Sequence, residues 1–172
     1  MLKILGIILI VTAGAGLGLE SSGELSERER ALKEILQMIR WLKGAIISSH
    51  ASLPEAFQEV SERMQEPFSL FLKQTSENIR KSPGVKLEEL YRTCAEETLG
   101  NLPLSRQERN LFLSMGSALG YLDMDMQKKQ LEFYEGEFLR LLEELRAEMP
   151  AKKKICQSLG IMGGILLAIL VW

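Results

Sequence analysis

The chain has 172 residues, room for one domain of ordinary size. Charged residues make up 26%, hydrophobic residues 46%, and the formal net charge is −2. That balance suits a folded domain and argues against a nucleic-acid binder, which carries a basic patch or stripe.

The two ends are apolar and the middle is charged and periodic. Ile4 to Leu19 carries no charge. At about 1.5 Å per residue it falls slightly short of a hydrocarbon core of about 30 Å. Leu2, Ser21 and Ser22 can extend it, and Lys3 can snorkel outward. Residues 1–22 therefore read as an N-terminal transmembrane segment, with Gly14 and Gly18 spaced for close helix packing in lipid. A second reading stays open. Lys3 and the apolar run after it also match the start of a signal peptide, with Ala13-Gly14-Ala15 as a cleavage site. Cleavage would leave a secreted binding domain anchored at its C-terminus.

Residues 23–153 divide into six helical segments and show no useful alternating strand pattern. Ser26-Glu27-Arg28-Glu29 has the form of a capping box, which places a helix start at Ser26. Leu32, Ile35, Ile39, Leu42 and Ile46 follow at steps of three and four. A second capping box, Ser52-Leu53-Pro54-Glu55, opens a helix with Leu53, Phe57, Val60 and Met64 on one face. Its Pro54 lies in the first turn, where a missing N–H is tolerated. Pro67 starts a third helix with Phe68, Phe71, Leu72, Thr75 and Ile79 on one side. Ser82-Pro83-Gly84 breaks the chain before a fourth, carrying Leu87, Leu90, Tyr91, Cys94, Ala95 and Thr98.

After the turn Gly100-Asn101-Leu102-Pro103, Ser105 caps a fifth helix through Glu108. Leu111, Phe112, Met115 and Leu119 face inward there, and Gly120 suits a left-handed end. Asp123 is the cap expected for the sixth helix, whose Leu131, Tyr134, Phe138, Leu141, Leu145 and Met149 have heptad-like spacing. Pro150 marks its end or a kink. The first and sixth helices are the longest and adjoin the apolar ends, so they are expected to pair side by side.

Residues 154–172 read as a C-terminal transmembrane helix ending on Trp172, an aromatic suited to the interface, with Gly160 and Gly164 as a second packing pair. Lys152, Lys153 and Lys154 precede this span and no lysine or arginine follows it. The positive-inside rule then puts the middle domain in the cytoplasm. An uncleaved first span would leave the N-terminus outside.

Little in the sequence carries catalytic chemistry. His50, the one histidine, stands beside Ser49 near a helix end and has no HExxH-type partner, so a surface or capping role is expected. Cys94 falls on an apolar stripe and Cys156 at the membrane edge, which makes a bridge or a shared metal unexpected and favours a reducing compartment. No phosphate loop or GxSxG is present. Asp123 and Asp125 do not continue into an EF-hand. Glu132, Glu135, Glu137, Glu143 and Glu144 read as solvated surface. The expectation is a non-catalytic protein with no cofactor and no metal.

Several landmarks occur in a distinctive order: Met1-Leu2-Lys3-Ile4-Leu5-Gly6, Leu25-Ser26-Glu27-Arg28, Leu119-Gly120-Tyr121-Leu122-Asp123 with Gln127, Lys154, Ser158-Leu159-Gly160 and Gly163-Gly164. In that order the chain resembles the stage III sporulation protein AB family over essentially its whole length. Pro150 departs from the pattern, where the last helix is expected to run on.

The resemblance implies a bundle similar to the cytoplasmic domain of the F platform protein of type II secretion. It further implies a scaffold subunit of the channel apparatus linking mother cell and forespore, on the mother-cell side of the outer forespore membrane. The implied partners are a secretion-type ATPase, stage III sporulation protein AA, and other channel proteins of the same operon. The oligomeric state, a homo-oligomer included, stays open.

Overall fold

The apolar rows of the middle segment need a common interior, and six helices supply it. A computed structural model describes the backbone of residues 2–49, 51–120 and 124–171, and the side chains of residues 23–47, 51–120 and 125–151. The helices are α1 (Leu2–Ser49), α2 (Leu53–Ser61), α3 (Phe68–Lys81), α4 (Leu87–Leu99), α5 (Arg106–Leu119) and α6 (Met124–Val171). No strand occurs among the described residues. The chain divides into two compact units: residues Ala31–Leu142, and Met1–Arg30 together with Glu143–Trp172.

In the larger unit, α2 packs on α3, α3 on α4 and α4 on α5. Serine hydroxyls tie α2 to α3 at both ends. Ser69 Oγ donates to the Ser61 carbonyl at 2.8 Å, and Ser76 Oγ donates to the Pro54 carbonyl at 2.7 Å. Carbonyls seven residues apart on one helix thus meet hydroxyls seven apart on the other, and the helices run antiparallel.

Tyr91 joins the next layers. Its fully buried ring lies edge-on to Phe71 of α3, centroids 4.9 Å apart, and 5.4 Å from Phe112 of α5. Phe57 of α2 lies 6.5 Å away. Gly116 of α5 makes room, because a Cβ there would stand 2.6 Å from Tyr91 Cγ.

The α1 stripe Leu32, Ile35, Ile39, Leu42 and Ile46 is buried, with Leu36, Met38 and Ala45 beside it. This face is broader than a simple three-and-four stripe. On α6, Leu131, Tyr134, Phe138 and Leu141 are buried. Tyr134 Oη donates to Ser114 Oγ of α5 at 3.2 Å, and Gln127 Nε2 donates to the Leu119 carbonyl at 3.3 Å. The smaller unit holds a pair between the same long helices, Arg146 Nε to Glu29 Oε1 at 2.8 Å, and a buried Leu145.

Several expectations are corrected. Ser26 is not a helix start: it lies inside α1, which begins at Leu2. With helix already preceding it, the N–H groups of residues 27–29 have carbonyls four residues back, and no orphan donors remain to be capped. Gly120 is not left-handed. Its φ of −77° and ψ of −12° are right-handed, and its N–H donates to the Ser117 carbonyl at 3.4 Å. Glycine serves there by closeness, since a Cβ would meet the Leu87 Cβ at 3.2 Å. The left-handed glycine is Gly84, with φ of +103° in the α3–α4 turn. Pro150 does not end α6, which runs through it. Loss of one N–H is absorbed by a helix that has intact turns on both sides. Leu53 and Leu111, expected on inward faces, are half-buried, as are Ile79, Leu87, Leu90, Thr98 and Met149.

Two substitutions check this packing by urea unfolding of the purified chain. Gly116→Ala drives a methyl into the Tyr91 ring and is expected to destabilise by about 1–3 kcal/mol. Phe138→Asp places an unpaired charge at a position with no solvent exposure and is expected to cost at least about 4 kcal/mol. Wild-type melting of either variant would refute the assigned core.

Candidate interaction surface

The helix starts at Ser52 and Ser105 are built from side chain and backbone together. Glu108 N donates to Ser105 Oγ at 3.2 Å, and Ser105 N donates to Glu108 Oε2 at 2.7 Å. Glu108 is fully buried in this arrangement. At Ser52 the emphasis differs: both its N–H and its hydroxyl donate to Glu55 Oε2, at 2.9 and 2.6 Å. These bonds favour the ionised form and hold the Glu55 carboxyl below its ordinary pKa. Arg109 reinforces the start of α5 by donating from Nη2 to the Gly100 and Leu102 carbonyls at 3.0 and 3.1 Å.

Cys94 is a buried free thiol that accepts a hydrogen bond from Asn78 Nδ2 at 3.2 Å. A buried thiol whose sulfur accepts only this weak hydrogen bond behaves as a small core residue rather than a nucleophile. Among the described residues no group of three or more His, Cys, Asp or Glu side chains could hold a metal ion. Asp123 and His50 lie outside the described residues, as do the side chains of Lys152, Lys153, Lys154 and Cys156 and the surroundings of Gly14, Gly18, Gly160 and Gly164. Among the described residues, no helix is long and apolar enough to cross a membrane.

Glu135 departs from the solvated surface expected of it. Arg40 Nε donates to its Oε1 at 2.7 Å and Lys43 Nζ to its Oε2 at 2.6 Å. One carboxylate on α6 thus accepts from two cations one turn apart on α1. The hydrogen bond from Lys43, then that from Arg40, lowers its pKa from the ordinary value. Sequence reading missed this triad because the pairing spans 92 to 95 residues, and no local spacing encodes it. Other pairs are local and exposed, such as Arg63–Glu59 at 2.7 Å and Lys81–Glu77 at 3.0 Å, so each contributes little.

The outer surface also shows apolar side chains. Phe133 is 56% exposed and Met126 46%. Seven residues apart, they share one face of α6. Phe133 touches Tyr134 edge to face, centroids 5.3 Å apart. Phe133 and Leu139 are large apolar residues off the heptad row of Tyr134 and Phe138 and are exposed, whereas Leu142, also off that row, is buried. Met126 and Phe133 thus give α6 an exposed apolar face.

Residues 3–172 match the sequence profile of stage III sporulation protein AB. The chain belongs to the stage III sporulation protein AB family. A relative of that name in Bacillus subtilis (strain 168) is 25% identical over 171 residues, covering 99% of each chain. A solved structure of a stage III sporulation protein AB is similar with a TM-score of 0.64 at 18% identity, covering 72% of this chain and 96% of that one. That likeness supports the helical fold. The family is one of sporulation proteins, and its name denotes no enzymatic activity.

Glu135→Gln is expected to destabilise the chain by up to about 1 kcal/mol at neutral pH, since the triad is partly solvated. A carboxylate with a lowered folded pKa contributes stability above its unfolded value and loses it as pH falls through the folded value. The gap between wild type and variant should therefore shrink as pH drops below 4.5, the ordinary value. Unfolding at pH 7 and pH 3 measures it. A gap unchanged at pH 3 would remove the electrostatic explanation.

Proposed function

We propose that this sporulation protein is a non-catalytic platform subunit of the channel apparatus between mother cell and forespore. In this reading residues 1–22 and 154–172 anchor it in the outer forespore membrane. The helical domain stands on the mother-cell side, in the cytoplasm, and docks a secretion-type ATPase, stage III sporulation protein AA, and other proteins of the same operon. The observation that carries the reading is the family match over residues 3–172, which includes both apolar ends as well as the helices between them. The charge asymmetry at Lys152, Lys153 and Lys154 supports the cytoplasmic side. Long α1 and α6 suit a support that holds the shorter helices α2 to α5 for contact.

Two measurements test the proposal. The first uses single cysteines at Glu62 and Glu144, both exposed, in a full-length chain carrying Cys156→Ser. Cys94 can stay because it is buried. In intact vegetative cells that express the chain in their cytoplasmic membrane, a membrane-impermeant thiol reagent is expected to leave both positions unlabelled, and to label both after lysis. Efficient labelling from outside would exclude contact with a cytoplasmic ATPase and support the secreted, C-terminally anchored reading. The second measurement co-expresses the full-length chain with tagged stage III sporulation protein AA. The ATPase is expected to partition into the membrane fraction only when the chain is present. An unchanged soluble fraction would overturn the docking role.

A further inference from the structure

We draw no further inference here: the strongest candidate, the exposed face of α6 around Met126 and Phe133, carries nothing because nothing in the structure shows what covers it.

Discussion

Tyr91 can occupy the middle of the larger unit only because α5 carries no side chain at Gly116. The ring stands 2.6 Å from where a Cβ would be, and from there it reaches aromatic partners on α2, α3 and α5. Large aromatic surfaces dominate the energetics of a core, and edge-to-face contact adds to the burial. The same side chain carries an unresolved polar burden: its hydroxyl has no hydrogen-bond partner among the described residues. Burial, and secondarily the neighbouring Tyr134, raises its pKa well above the ordinary value. The group therefore stays neutral, and the apolar and ring contacts outweigh the desolvation of one hydroxyl. Helix order follows from this contact, because α3, α4 and α5 must come close enough for Phe71, Tyr91 and Phe112 to meet.

The long helices solve a different problem. α1 and α6 each have 48 residues, and within the larger unit they are held in register by Glu135 with Arg40 and Lys43. Apolar stripes alone tolerate a slide along the axis more readily than a carboxylate that must meet two specific cations. The energy of a partly solvated triad is modest. Its contribution is directional: it disfavours registers in which the charges miss. In the smaller unit, Glu29 and Arg146 have the same kind of relation. A defined register gives the described helical surface a reproducible shape.

Much of this was legible in the sequence where the signal is local and periodic. Steps of three and four located the core of α1 from Leu32 to Ile46, and the heptad row located Leu131, Tyr134 and Phe138, because burial on a helix repeats with its turn. Failures came where a local pattern met a distant neighbour. Ser26 and Glu29 have capping-box spacing, but preceding helix removes the need for a cap. Gly120 looked like a left-handed terminator, whereas the real constraint is Leu87 from another helix. The turn that does need positive φ is at Gly84. Glu135 was legible as a charge but not as a partner of α1. The candidate surface was least legible of all, since an apolar residue off the main row is visible in sequence while its exposure is decided by which neighbours arrive.

The two serine ties between α2 and α3 have a consequence for how this region can change. At nine residues, α2 is too short to persist as a helix in water by itself. Its span is gauged against α3, hydroxyl to carbonyl at each end. Substituting an outward-facing residue of α2 leaves that gauge intact. Inserting or deleting one residue would turn everything beyond it by about 100° and shift it by about 1.5 Å along the axis. One tie would then point away from its acceptor, and Phe57 or Val60 would leave the core. A change of length in this hairpin therefore costs more than an exchange of identity on its outer face.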